Sequence, residues 1–262
     1  MPLPAATIDA IAQRLDHAAR DARGIRMVSD EHPEMDVADA YAVQDALRRR
    51  RLAAGLRMSG FKAGLTSLAK IRQMGIDSPV FGFLTADTGL ADGAEIRASA
   101  MIHPRVEAEI GIVTKAPLGS ADCGIDEVLA AIDHVVPALE VIDSRFENFK
   151  FDLRNVIADN TSAARYVVGR TPAPATGLDL AALEVEIEKN GAVVARGNGA
   201  AVLGHPAAAV AALARHLHAR GERIPAGSFI LSGAVAEAIS VQAGDVVVSR
   251  VAGLGVVGAR FS

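Results

Sequence analysis

Two glutamates spaced two residues apart are the first feature of this sequence able to do chemistry. In Ile102-His-Pro-Arg-Val-Glu107-Ala-Glu109-Ile110, and on to residue 113, the pattern alternates. Val106, Ala108, Ile110 and Ile112 face one way, and Glu107, Glu109 and Gly111 the other, which predicts a strand over 106–113. Both carboxylates then project from one face, and like charges that close are unfavourable unless something compensates. A hard divalent cation is one compensation, since Mg2+ and Mn2+ prefer oxygen ligands. A solvent-facing strand and pairing with Arg105 are the others. Glu140 favours the metal. It sits in Val135-Val-Pro-Ala-Leu-Glu140-Val-Ile142, an almost wholly apolar stretch, and buried glutamate is rare unless paired or metal-bound. Three carboxylates on apolar strands make a facial site with positions left for substrate and water. An α-keto acid suits such a site, chelated through its carboxylate and keto oxygens, with the cation stabilising the enolate formed when electrons reach the carbonyl.

Lys62, in Gly60-Phe-Lys62-Ala-Gly64, is a lone lysine among small and apolar residues. It is either a charge at a strand edge or a desolvated functional group. Asp159-Asn160 reads as a turn or as a polar pair with a function. Other motifs carry less. Gly253-Leu-Gly255-Val-Val-Gly258 matches the dinucleotide fingerprint but leaves four residues after it, too few for the helix that must meet a pyrophosphate. His216 and His218 are two apart on a predicted helix and point apart. Cys123 has no activating base nearby, and no G-x-S-x-G elbow exists.

These residues need elements to hold them. At ~100–200 residues per domain, 262 residues make one large domain or a main domain with an appendage. Half the residues are apolar and 22% charged, a globular composition. The 31 acidic against 27 basic residues give a net charge of -4, which speaks against nucleic-acid or membrane-surface partners. No stretch is apolar enough to span a bilayer, and residues 1–24 lack the apolar core of a signal peptide, so a cytoplasmic protein is expected. One cysteine excludes an internal disulfide and any multi-cysteine zinc site.

The first ~55 residues read as helical. Ile8, Ile11, Leu15 and Ala18 share a face, residues 28–33 read as a loop, and Asp36 caps a second helix. That helix ends in four arginines, 48–51, either a solvated helix end suited to the dipole or an anion site. From residue 57 the texture is mainly β. A hairpin is predicted over 184–196 around Asn190-Gly191, closing strands over 245–250 and 254–261, and helices over 66–74, 125–132 and 206–220. The expected fold class is α+β: a helical segment, 1–56, packed on a mainly β catalytic domain, 57–262.

The matching stretches identify a family. Asp39-Ala-Tyr-Ala-Val-Gln44, Phe61-Lys-Ala-Gly-Leu-Thr66, Pro104-Arg-Val-Glu-Ala-Glu-Ile110, Pro137-Ala-Leu-Glu140, Ile157-Ala-Asp-Asn160, Gly204-His-Pro206 and Ser232-Gly233 run in collinear order. Together they resemble the fumarylacetoacetate-hydrolase-like superfamily, in its hydratase/decarboxylase branch of catechol meta-cleavage. The resemblance implies a mixed β-roll carrying Mg2+ or Mn2+ on Glu107, Glu109 and Glu140, with Lys62 as the active-site lysine and Asp159 as a second catalytic candidate. Arg145, Asp77, Ser162 and Ser232 are the substrate-binding candidates. His103 is left without a role, and His205 reads as structural. Two activities compete: decarboxylation of 2-oxo-3-hexenedioate and hydration of 2-oxopent-4-enoate. Residues 65–74 and 143–151 favour the first, because the hydratases tend to carry Trp in the second stretch and this chain has none. The run Ser232-Gly-Ala-Val-Ala-Glu237 departs from the decarboxylase pattern. Homo-oligomers and association with a hydratase are also implied, and a non-catalytic scaffold is the alternative of another class.

Overall fold

Two mixed β-sheets form the core, and three N-terminal helices lean on one side of it. The structure, a computed structural model, describes residues 2–68, 71–72 and 75–262. The larger sheet runs β2 (Val80–Thr85), β1 (Met58–Gly64), β10 (Phe229–Ala234), β5 (Arg105–Thr114), β6 (Ile132–Ile142), β7 (Ala163–Val168) and β3 (Gly89–Ala91), with β11 (Ile239–Ser240) pairing the start of β5. The smaller sheet runs β4 (Ala94–Ile96), β13 (Gly255–Phe261), β12 (Val246–Val251), β8 (Glu184–Lys189) and β9 (Ala192–Asn198). Pairs β1–β10, β3–β7 and β4–β13 are parallel and the remainder antiparallel.

The strand expected at 106–113 is β5. Val106, Ala108, Ile110 and Ile112 join Val185, Val247 and Val257 in the main core. The glutamate face is buried as well, where the Lys62 side chain and the turn at Thr161 meet it. Asn190 and Gly191 take positive φ (55° and 81°), the two left-handed residues of a tight hairpin turn. The Gly253–Gly258 region forms a turn and β13, with no helix after it.

The N-terminal helices are α1 (Ala5–Arg20), α2 (Val28–Glu31) and α3 (Val37–Ala53). Asp36 accepts from Asp39 N at 2.8 Å and the Asp39 side chain accepts from Asp36 N, a reciprocal capping box. Residues 28–33 are a loop by sequence, yet 28–31 make a helical turn. The Asn155 side-chain oxygen accepts from Val28 N at 2.8 Å and caps it, a contact across 127 positions that local reading cannot see. Asn155 belongs to α5 (Leu153–Ala158), and α4 (Ile125–Ala131) and α6 (Pro206–Ala219) complete the helices named here. His205 caps α6 by accepting from Ala207 N at 3.0 Å. The helix expected over 66–74 falls partly on residues outside the described ones.

Leu15, Val43 and Leu47 pack with Phe83, Phe146 and Ile157 in a second core between helices and sheet. Polar ties reinforce it. Gln44 Nε2 donates to Phe81 O and Ile157 O, both at 2.9 Å. The arginine run at the end of α3 is less solvated than a free helix end: Arg48 forks onto Glu222 with two 2.8 Å bonds, and Arg51 lies 5.6 Å from the Phe83 ring centre.

At this seam His216 packs its ring 4.6 Å from Tyr41 and 5.0 Å from Phe81. Burial, aided by nearby Arg220, lowers its pKa to about 4, with Glu222 opposing. Between pH 6.5 and 4 the unfolded chain therefore binds more protons than the folded one. Stability is full above pH 6.5 and falls as pH drops through that window. Because the ring is partly exposed, the loss is reduced to on the order of 2 kcal/mol. Urea unfolding followed at pH 7 and pH 4.5 should show it in the native chain and show a flatter dependence in His216→Gln.

Candidate metal and active site

The antiparallel register of β5 and β6 sets Glu107 directly opposite Glu140, which puts their side chains on one face, and Glu109 follows one pleat further along. One carboxylate oxygen from each of the three lies within 4.8 Å of the others. Glu109 and Glu140 are fully buried and Glu107 is 9% exposed. Lys62, on β1, is 2% exposed and places Nζ 2.9 Å from Glu140 Oε2 and 3.1 Å from the Thr161 carbonyl. Lys62 thus supplies one compensating charge, on Glu140, and Arg105 makes no ion pair with Glu107 or Glu109.

Burial pushes the carboxyls of Glu109 and Glu140 up. For Glu109 the neighbouring charges of Glu140 and Glu107 push further; for Glu140, Lys62 opposes the rise. Burial alone would lower the lysine, but the three carboxylates outweigh it and hold Lys62 above its usual value. Three carboxylates against one ammonium leave two uncompensated negative charges in a buried site, the charge of one divalent cation. Glu109 Oε1 and Glu140 Oε1 accept no hydrogen bond from any described residue, while Glu140 Oε2 meets the Lys62 ammonium. Buried acceptors left open toward one point, all of them hard oxygen, fit Mg2+ or Mn2+.

Backbone strain supports this arrangement. Asn160, Thr161 and Ser162 all take positive φ (50°, 51° and 60°), a conformation non-glycine residues adopt only when the surroundings hold it. Asn160 is clamped to β2, its Oδ1 accepting from Phe83 N at 2.9 Å and its Nδ2 donating to Phe83 O at 3.0 Å. The strained turn aims the Thr161 carbonyl at Lys62. Opposite, Gly233 N donates to Glu109 Oε2 at 2.6 Å. Gly233 has φ +124°, and a Cβ there would stand 2.3 Å from Thr66 Oγ1, so only glycine fits. The Ser232-Gly233 stretch was visible in the sequence, but its amide was not.

Two cavities of about 320 and 380 Å3 flank Glu107, and larger hollows beside α1 and beside Arg50 and Arg51 do not reach the carboxylates. Lys62, Ser162, Arg105, Phe149 and Phe151 line the 320 Å3 cavity. The remaining candidates lie elsewhere. Arg145 is buried and forks onto the Asp159 carboxylate and carbonyl, with further bonds to Asp143 O at 2.7 Å and Ala163 O at 3.1 Å. Asp159 is fully buried. Burial raises it to about 6, with Arg145 pulling the other way. The structure thus sets Arg145 and Asp159 against each other, as the frame of the 159–162 turn, and lines neither flanking cavity with them. The Ser232 hydroxyl donates to Ile110 O at 2.8 Å, and Asp77 is exposed and lines neither cavity. Asp143 accepts from the amides of Ile102 and His103, and the His103 ring tilts against Phe149 at 5.1 Å.

Residues 61–262 match the family model of the fumarylacetoacetate (FAA) hydrolase C-terminal region. The chain belongs to the fumarylacetoacetate hydrolase family. Within it the chain is 50% identical over 252 residues to a 4-oxalocrotonate decarboxylase of Pseudomonas putida, covering 96% of each. It is 40% identical over 250 residues to a 2-keto-4-pentenoate hydratase of Paraburkholderia xenovorans, covering 95% of this chain and 93% of that one. The structure superposes with a TM-score of 0.97, at 48% identity and 99% coverage of both chains, on the 4-oxalocrotonate decarboxylase of Pseudomonas putida G7 complexed with magnesium and adipate. The mixed roll and its added helices are thus shared with a family member over their whole length.

Glu109→Gln removes one negative charge and one metal-ligating oxygen while leaving an acceptor for Gly233 N. Calorimetric Mg2+ titration should show affinity reduced by about tenfold or more. Mg2+ should raise the melting temperature of the native chain and not of the variant, with circular dichroism unchanged. Native Mg2+ affinity in the variant would refute the assignment of Glu109 as a ligand.

Proposed function

We propose that this protein catalyses the Mg2+-dependent decarboxylation of 2-oxo-3-hexenedioate (4-oxalocrotonate) to 2-hydroxypenta-2,4-dienoate and CO2. The observation that carries the reading is the buried Glu107–Glu109–Glu140 cluster, two charges short of neutrality, beside Lys62 and a cavity open to substrate. The greater identity to the decarboxylase than to the hydratase, 50% against 40%, favours the decarboxylase over hydration. A scaffold paralogue would gain nothing from three desolvated carboxylates, whose replacement by apolar residues is commonly neutral or stabilising.

A divalent cation held by the three glutamates supplies a Lewis acid for the 2-oxo acid end of the substrate. The chain's own groups do the rest. The substrate's distal carboxylate sits on C5, allylic to the C3=C4 bond that is conjugated with the ketone, which makes it a vinylogous β-keto acid. When the C5–C6 bond breaks, its electron pair forms C4=C5, the C3=C4 pair moves to C2=C3, and the keto oxygen takes the charge. The Lys62 ammonium, kept protonated by its carboxylate neighbours, faces that end and holds the proton the oxygen takes to become the 2-hydroxyl. The Thr161 carbonyl and Glu140 fix its position. Leu65, Phe151 and Val156 give the cavity an apolar wall that excludes water from the dienolate.

The same reading assigns the reaction to meta-cleavage catabolism of catechols, in a cytoplasmic homo-oligomer able to associate with a 2-oxopent-4-enoate hydratase. No described helix is long and apolar enough to cross a membrane.

An ultraviolet progress curve with 2-oxo-3-hexenedioate, with Mg2+ or EDTA and with CO2 trapped, tests the activity. EDTA-sensitive substrate loss with stoichiometric CO2 is expected, and Lys62→Met should lower kcat by about 10²–10⁴-fold while still binding Mg2+. No CO2, with water added to 2-hydroxypenta-2,4-dienoate instead, would move the assignment to the hydratase.

A further inference from the structure

Arg105 is a cation in the substrate cavity that no described residue neutralises. It opens β5 on the same face as Glu107 and Glu109 and lines the 320 Å3 cavity. Its guanidinium makes no ion pair or hydrogen bond to any described residue. It lies against the Phe149 ring, whose centre is 4.0 Å from Cζ, a cation–π arrangement. Lys62, the other cation of the cavity, is engaged by Glu140.

Phe149 reaches Arg105 through strained backbone. Asn148 and Phe149 take φ of 59° and 56°, and for a bulky aromatic residue that is an outlier. The loop is pinned at its start: Phe146 is fully buried, Glu147 N donates to Ile25 O at 2.9 Å, and Ile25 N donates to Arg145 O at 2.9 Å. Strain held in place by such anchors marks a position where the side chain's direction matters. Here it holds the ring against the guanidinium while leaving the N–H donors free for an anion.

The placement fits an anion at the far end of a ligand. Residues two apart on a strand stand about 7 Å apart, so Arg105 lies one pleat beyond Glu107 on the same face and lines the same cavity. A ligand whose near end meets the glutamate cluster extends toward the guanidinium. We propose that Arg105, oriented by Phe149, is the specificity residue that binds the second carboxylate of the substrate. This rests on the dicarboxylate reading above. A guanidinium holds that carboxylate best while its charge is intact, so the contact weakens as CO2 leaves. Its contribution falls on substrate binding rather than on the barrier.

The test compares adipate with hexanoate, one diacid and one monoacid of equal length, by calorimetry on the Mg2+-loaded chain. The native chain should prefer adipate by about tenfold or more, the loss expected when a charge-assisted hydrogen bond is removed. Arg105→Met should abolish the preference, and Phe149→Leu should reduce the ratio of adipate to hexanoate affinity. With 2-oxo-3-hexenedioate, Arg105→Met should raise KM by more than it lowers kcat. Unchanged adipate preference in both variants, or a loss confined to kcat, would overturn the proposal. Should circular dichroism show Arg105→Met misfolded, Phe149→Leu alone decides. The binding arms need no turnover, so a native chain that prefers adipate but releases no CO2 would sink the decarboxylase reading and leave the role of Arg105 standing.

Discussion

Three carboxylates share a dry site with one ammonium, and much of the architecture is arranged to keep them there. In water such a cluster would spread apart. On two adjacent strands in fixed register it cannot, and burial pushes the Glu109 and Glu140 carboxyls up instead. Glu107 and Glu140 face each other because β5 and β6 pair without a shift between residues 105 and 113. A slip of β5 by one residue would turn Glu107 and Glu109 toward the main core and away from Glu140. The Gly233 amide and the Lys62 ammonium offset part of the charge. The remainder is two negative charges with open oxygen acceptors, and that deficit selects a hard divalent cation over any neutral ligand.

The frame around the site explains why residues that look functional do not face the substrate cavities. Arg145 and Asp159 satisfy each other in the interior, and between them they fix the 159–162 turn. That turn carries the Thr161 carbonyl to Lys62 and the Ser162 side of the cavity wall. The N-terminal helices hold the same region from outside. Asn155 ties α5 to α2, and Gln44 bridges β2 and α5. The helical segment thus touches the elements that flank the turn beside the lysine.

Much of this was legible in the sequence. The alternation around Glu107 and Glu109, the apolar setting of Glu140, the Asn190-Gly191 turn and the Asp36 cap are local patterns whose physics acts over a few residues. The collinear motifs supplied the family. What local reading missed is non-local or conformational. Asn155 capping a turn 127 positions away leaves no mark in either segment. The Arg145–Asp159 fork, closed across α5, leaves no sign in the sequence of which partner the arginine takes, so Arg145 reads as a substrate-binding candidate or a salt bridge and Asp159 as a catalytic candidate. Three successive non-glycine residues with positive φ carry no composition signal, because the strain is imposed by the Phe83 clamp and not by residue type. Arg105 was visible as a partner for its neighbouring glutamates, but not as a cation facing the cavity.

The central claim is that a divalent cation completes the charge balance on Glu107, Glu109 and Glu140. The most direct measurement is an anomalous-difference map from crystals grown with Mn2+. The account predicts a single strong peak within about 2.0–2.3 Å of an oxygen from each of the three glutamates, with Lys62 still on Glu140. A map with no peak there, or with the ion held by other residues, would contradict it.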